Sequence, residues 1–522
     1  MTPTQRWTLA AASLGSAIVF LDGTIVSVAL PVIGQELPAT LVNRLEGQTY
    51  IASGYLATLA ALLVLAGALA DFYGRRRIFA IGLAGFGITS VLCGLAPTLE
   101  TLALARVLQG AAGALLVPGS LSIISAVFEG PERARAFGIW AAATSATTAF
   151  GPPLGGFLVA AVSWRAAFLI NVPLVLLALY ATIRFMPETR DETASGHFDW
   201  LGAGVAVLAI GGLAFGAIRG QDRQWQDPAA WVALAVGAAA TVAFPILMAR
   251  RRDPLVPLSL FRSRGFATIN LSTLLIYGAL YSTFVFQSLF LQGVLGYSPP
   301  ASAIVGLPVS IMLTFFSARV GALAGRYGAR RFLVAGPVIM AAGLLWFARI
   351  PPTSEGWEAN INSAASLVPP ASVLIDVLPA ILLFGVGISL IVAPLTSTLM
   401  SSVPTRNAGI GSAINNAVSR VGQPLLSAII FIVISGSFYA TLADRVPGLD
   451  PSSAELRAQV QPVNPPRADT PPAVQAAARV ASTDAFHLAS LVGVVLLLAG
   501  AAVNWVGLRE PPDGARPEPQ AR

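Results

Sequence analysis

The 522-residue chain is 55% hydrophobic and only 11% charged, with 32 basic against 25 acidic residues and two histidines, and its mean hydropathy is +0.73. A soluble protein carries roughly 25% charged residues, so this composition excludes an ordinary soluble domain and places the chain in a bilayer. There is no lysine, which excludes both a GxxxxGK[ST] phosphate loop and a lysine Schiff base, and the lone Cys93 with two scattered histidines leaves no internal disulfide and no metal spacing.

A span needs about 20 mainly apolar residues. Fourteen such runs follow one another, starting near Thr8, Gln48, Ile78, Leu99, Ala134, Trp164, Trp200, Ala229, Phe266, Pro299, Phe332, Ile375, Asn407 and Asp484. An even number puts both termini on one side. The first run, Thr8 to Ile33, is too long for the apolar core of a secretory signal and lacks a small-x-small cleavage site, so it reads as a retained span. It contains Asp22, which at about 1.5 Å rise per residue lies near mid-bilayer. A carboxylate there feels low dielectric and any nearby cation in opposite senses, so it can be poised to take up a proton on one side and release it on the other. The plainer alternative is an acid that only hydrogen-bonds neighbouring helices.

Between the second and third spans stands GALADFYGRRR, Gly67 to Arg77, and it returns as GALAGRYGARR, Gly321 to Arg331, identical at eight of eleven positions. Two related six-span halves follow from that repeat, in residues 1–198 and 263–510, with two further spans in 199–262 and a polar tail, expected to be disordered, in 511–522. Parallel repeats are an architecture of transporters that rock one half against the other. With the repeated turn placed in the cytoplasm, 21 arginines fall on that side and nine on the other, leaving Arg106 and Arg420 within spans. The positive-inside rule therefore sets both ends in the cytoplasm, and the +7 charge speaks for membrane orientation, not nucleic acid. Asp71 of this turn lies at the interface, not the midplane, and reads as part of a gate. Arg75 is expected to pair with Glu129 or Glu132, and Gly67, Gly74 and Arg76 complete a cytoplasmic gate.

Arg106 lies seven residues into the fourth span and is expected to reach Asp22 directly or through water; snorkelling to the headgroups is the alternative. Gln109 falls near the same helical face. In the fifth span, GPPLGG offers Gly151, Gly155 and Gly156 for close helix approach, with Pro152 and Pro153 to bend it. In the ninth, Asn270, Tyr277, Tyr281, Ser288 and Gln292 share a narrow sector beside Phe284, an aromatic wall suited to flat lipophilic ligands or, equally, polar glue between helices. Arg420 is near the midplane of the thirteenth span in NNAVSRVGQP, beside Asn415 and Asn416, with no acid in any span of its own half. Pro424 frees the Arg420 carbonyl and is expected to kink the helix. Arg420 reads as facing a wet central cavity where it holds a polar or anionic group or counters Asp22, or else as a tie to helix carbonyls. The stretches 350–372 and 437–483, rich in Pro, Ser and Ala, read as flexible external loops.

These residues resemble the major facilitator superfamily, and within it the fourteen-span drug:proton antiporters. GALADFYGRRR looks like the loop motif between spans two and three, and LDGTIVSVALPVI, Leu21 to Ile33, like the acidic first-span motif. LARVLQGAAGALLVPGSLSII, Leu104 to Ile124, carries the Arg-x-x-Gln-Gly pattern; GPPLGGFLV, Gly151 to Val159, resembles the antiporter motif of span five; and WRAAFLINVPL, Trp164 to Leu174, resembles the entry to span six. Departures stand at Phe72, where a basic residue is usual, at Val64, where proline is common, and at Gly325, which replaces the acid in the second copy of the turn. The resemblance implies an all-α polytopic fold of two six-helix bundles plus two central spans, in the cell membrane. It also implies that Asp71 pairs across the halves, as a cap on the start of a second-half helix, where the dipole favours an anion. It implies proton-coupled export of lipophilic small molecules, with protons and the bilayer as partners and no cofactor, nucleotide or nucleic acid. A narrow metabolite exporter or a symporter is the alternative. No feature specifies an adaptor protein, and the absence of HExxH and GxSxG argues against an enzyme.

Overall fold

The computed structural model describes residues 1–38, 44–190, 197–222, 225–360, 363–451, 453–467 and 470–508, so the 511–522 tail lies outside the described residues. The regular elements among them are all helical: α1 (Pro3–Glu36), α2 (Arg44–Tyr73), α3 (Arg75–Gly94), α4 (Leu99–Ala114), α5 (Leu116–Val127), α6 (Gly130–Ala161), α7 (Ala166–Leu169), α8 (Asn171–Phe185), α9 (Trp200–Asp222), α10 (Pro228–Arg250), α11 (Arg264–Leu289), α12 (Pro299–Tyr327), α13 (Ala329–Phe347), α14 (Leu378–Ser401), α15 (Ala408–Arg445), α16 (Ala454–Gln459) and α17 (Pro472–Gly507). Among the described residues, 13 segments are long and apolar enough to cross a membrane, with α4–α5 and α7–α8 each counted as one. The 32-residue α6, richer in Thr, Ser and Pro, packs between α1 and α12.

Packing sorts the helices into two groups. In the first, α1 lies against α6 and α8, α2 against α4, and α3 against α4 and α8; in the second, α11 lies against α15 and α17, α13 against α14 and α17, and α12 against α14. Two seams join the groups, α2 with α15 and α6 with α12. The repeated turn explains both. A Cβ on Gly67 of α2 would stand 2.5 Å from the Ala413 Cβ and the Gly409 carbonyl oxygen of α15, and one on Gly321 of α12 would stand 3.1 Å from the Ala134 carbonyl oxygen of α6. Only glycine lets the backbones approach this closely. The glycine after the tyrosine in each copy ends its helix with a positive φ, +112° at Gly74 and +88° at Gly328, which a side chain would strain.

The α9–α10 hairpin packs through α9 on α2 and also touches α15. Its two helices meet through glycines: a Cβ on Gly212 would fall 2.8 Å from the Gly237 Cα. Phe72, standing where the resembling family has a basic residue, lies edge-on to Phe198, centroids 5.6 Å apart, at the entry to the hairpin. At its far end Arg219 donates to Asp227 at 2.6 Å and to the Tyr50 hydroxyl of α2 at 3.2 Å.

The structure corrects the reading of 437–483 as one external loop. Residues 437–445 continue α15 and 472–483 begin α17, because Phe438, Leu442, Ala481 and Ala485 bury one face and alanine is the best helix former. The described part between them is packed: Val460 and Val463 are buried and the Val460 carbonyl accepts from the Tyr439 hydroxyl at 3.1 Å. Within 350–372, Trp357 is buried and donates to the Ser366 carbonyl at 2.9 Å. α15 continues unbroken through Pro424.

Gly67→Val tests the first seam. The added side chain meets backbone on α15, so the variant is expected to insert normally yet lose most transport, while a cysteine at buried Ile410 becomes reactive to maleimide. Transport at the wild-type rate with Ile410 still protected would show that the close approach is dispensable.

Candidate functional site

Five helices converge on Asp22. The capping box of Thr2 and Gln5 starts α1, and that of Thr98 and Thr101 starts α4 two turns before Arg106. Arg106 and Gln109, three apart, lie on one face and both reach the carboxylate. Arg106 forms a salt bridge with Asp22 Oδ2, and Gln109 and Asn171, from the start of α8, donate to Oδ1 at 3.1 and 2.9 Å. Gln109 also accepts from Arg106 at 2.7 Å and donates to Ser90 of α3 at 2.9 Å. Asp22, Gln109, Ser90 and Asn171 are fully buried and Arg106 is 2% exposed.

From α2, the Tyr55 ring lies under the guanidinium, 3.9 Å from centroid to Cζ, and the Ile51 carbonyl accepts from Nε at 3.3 Å. The Tyr55 hydroxyl donates back to the Val19 carbonyl of α1 at 3.1 Å. Two buried charges are tolerable only when paired and further hydrogen-bonded, and here the carboxylate receives three donors. Asn171 Oδ1 is buried and has no partner among the described residues, so that side chain still has a free acceptor beside the carboxylate.

The second polar cluster closes the face that carries the repeated turns. Asp71 accepts from the backbone N–H groups of Gly409 and Ile410 at 3.0 and 2.9 Å, capping the first turn of α15. Arg75 holds the same carboxylate at 2.8 and 3.0 Å and donates onward to the Thr405 and Arg406 carbonyls. The expected pairing of Arg75 with Glu129 or Glu132 is therefore corrected: Asp71, four residues back across the Gly74 break between α2 and α3, takes the guanidinium, and Glu132 instead meets the Met1 amino group at 3.5 Å. Arg76 and Arg77 present backbone N–H groups to Glu188 at 3.0 and 3.1 Å, an anion at a helix start. Gly325, at the place of Asp71 in the second copy, supplies no carboxylate; a Cβ there would lie 3.7 Å from that of Ala134.

Residues 12–427 match the Major Facilitator Superfamily. The chain belongs to that superfamily. It is 34% identical over 443 residues to the multidrug resistance protein Stp of Mycobacterium tuberculosis, covering 85% of this chain and 78% of that one. To the multidrug efflux pump LfrA of Mycolicibacterium smegmatis it is 31% identical, covering 97% of each. Among solved structures the proton:xylose symporter XylE superposes with a TM-score of 0.57 at 14% identity, over 95% of this chain and 94% of that one, a likeness of fold. The superfamily consists of transporters, not enzymes, and the protein is a multi-span protein of the cell membrane.

The remaining expected residues fall in several places. Gly151 and Gly155 of α6 lie against Thr24 and Ile25 of α1, whereas a Cβ on Gly156 would meet nothing; Pro152 and Pro153 sit within the continuous helix. Asn270 accepts from Asn415 at 3.3 Å, and Asn415 also donates to Thr273 at 2.8 Å, tying α11 to α15. Asn416 turns back to the Ser412 carbonyl at 3.0 Å. Tyr277 and Tyr281 stand edge to face at 5.9 Å, and Phe284 contacts Phe384 of α14 at 5.6 Å. Gln292 donates to Ser288 at 3.1 Å, both exposed near the far end of the span. Sequence reasoning missed Asn171, Ser90, Tyr55 and Glu188. A buried asparagine in WRAAFLINVPL was the available signal, since polar groups inside spans are rare.

Arg106→Leu strands the Asp22 charge and is expected to destabilise the protein by about 3–5 kcal/mol. Asp22→Asn with Arg106→Gln, which removes both charges, should recover most of that in thermal denaturation. A double variant as unstable as the single would contradict the pairing.

Proposed function

We propose that the protein is a proton-driven antiporter exporting lipophilic small molecules by alternating access. Counting α6 as a span gives fourteen, with both termini cytoplasmic and the Asp71–Arg75 cluster as the cytoplasmic gate. The domain bounds are 1–198 and 263–510 for the two bundles and 199–262 for the hairpin between them. The observation that carries this reading is a fully buried carboxylate, Asp22, whose charge partner is one arginine from another helix.

With Asp22 ionised and paired, the cytoplasmic gate is closed by Asp71. A proton arriving from outside cancels the Asp22 charge, and Arg106 keeps only Gln109, Tyr55 and the Ile51 carbonyl. The N-terminal bundle then loses the ion pair between α1 and α4, with the weaker Gln109 contact remaining, and the closed state loses stability relative to one open to the cytoplasm. Proton release inside restores the pair. Each inward proton supplies about 2.3 kcal/mol per 100 mV of membrane potential, enough for modest concentrative export. The names of relatives, multidrug resistance and efflux proteins, support a lipophilic cargo.

Proteoliposomes with an internal pH dye and an imposed pH gradient test this against a panel of lipophilic dyes that includes ethidium. At least one dye is expected to move against its gradient with counter-moving protons, and Asp22→Asn should abolish both. No coupled movement for any member would contradict the antiport reading. Divalent dyes are expected to move poorly, since no second carboxylate stands at mid-depth; saturable divalent transport surviving Asp22→Asn would overturn that expectation.

A further inference from the structure

The mechanism above leaves one intramembrane charge unused. Arg420 lies on α15 about 18 Å from that helix's start at 1.5 Å per residue, at the level where Phe20 of α1 faces it from the other bundle. Among the described residues its guanidinium makes no hydrogen bond and no ion pair: Nε is buried without a partner, and the contact it does make is with the Phe20 ring, 5.9 Å from Cζ to centroid. The nearby acids are committed, Asp22 to Arg106, Gln109 and Asn171 and Asp71 to Arg75 and the start of α15. Tyr281 of α11 and Tyr55 of α2 stand within range of its charge, so aromatic residues of both bundles lie in its neighbourhood. An uncompensated arginine in the hydrocarbon region is expensive, and a fork of donors flanked by rings matches an anion borne on an aromatic body.

We propose that Arg420 binds the anionic group of the transported substrate, and that the preferred cargo is a flat aromatic amphiphile carrying one carboxylate, sulfonate or phenolate. This rests on the exporter reading and narrows its substrate class. The anion pairs with the guanidinium while the ring system lies between Phe20 on one bundle and Tyr281 on the other, so the ligand bridges the halves that must move. Phe20 stands two residues before Asp22 on the same helix and so points away from it round the helix, which lets a ligand on Phe20 leave the carboxylate network in place. Export of a monoanion against one proton carries two positive charges inward, where a neutral analogue carries one. An imposed negative-inside potential therefore accelerates the acid more than the neutral compound.

The test uses the full chain in nanodiscs and two probes with one ring system, 1-pyrenebutyrate and 1-pyrenebutanol, read by energy transfer from tryptophan. Wild type is expected to bind the acid roughly tenfold more tightly than the alcohol. R420Q should abolish that preference with the alcohol affinity unchanged, and R420K, which keeps the charge but loses the fork, should retain part of it. A wild-type preference persisting in R420Q, equal loss of both probes in both variants, or no binding of either probe by wild type would overturn the proposal. The assay needs no proton gradient, so intact acid preference without coupled transport supports the charge assignment and counts against antiport alone.

Discussion

The Asp22–Arg106 pair is the contact around which the first bundle is built. Desolvating two charges is tolerable because the carboxylate receives three donors and the guanidinium is held by Asp22, Gln109, the Ile51 carbonyl and the Tyr55 ring, with Ser90 of α3 fixing Gln109, so that α1, α2, α3, α4 and α8 all contribute. Remove the charge from either partner and the other becomes an uncompensated ion in a low-dielectric core. In the proposed antiport a proton on Asp22 costs Arg106 its charge partner, and the consequence is felt on five helices at once.

α2 is the helix that meets both the buried pair and the gate. Tyr55 and Ile51 hold the Arg106 guanidinium, and Asp71, at the far end of the same helix, caps α15. Gly67 lies between and brings the α2 backbone onto that of α15. Tilting α2 at Arg106 thus acts on the gate through a continuous element with no loop in between. The α9–α10 hairpin rides on this helix, fastened by Phe198 at one end and by Arg219 to Tyr50 at the other. The two seams differ: Asp71 caps the start of α15 at the first, and at the second Gly325 supplies no carboxylate.

Much of this was readable in the residues. The doubled GALA turn pointed to two related halves, whereas the positive-φ helix end at Gly74 and Gly328 became visible only in the structure. Asp22, Arg106 and Gln109 were legible because charge at mid-span has no bland solvent role, and the Asp71 cap through the family resemblance that its turn carries. What stayed hidden depended on which helices touch. Asn171, Ser90 and Tyr55 are ordinary polar residues until α8, α3 and α2 close around Asp22, and no periodicity encodes that closure. The choice of Asp71 by Arg75 over the next loop's glutamates depended on how the chain turns at Gly74, and the helical character of 437–445 and 472–483 was masked by low hydropathy where alanine packing decided. Asn270 and Asn415 could be read as cavity wall or as interhelical glue, and the structure has them bonded to each other across α11 and α15.

The central claim is that protonation of Asp22 opens the cytoplasmic gate. Pulsed electron spin resonance between nitroxides at exposed Arg77, beyond α2, and exposed Ser401, beside the start of α15, measures it across a pH series. The account predicts a short distance when Asp22 is ionised, a growing long-distance population as pH falls, and the long distance at every pH in Asp22→Asn. A pH dependence that is unchanged in Asp22→Asn would contradict it.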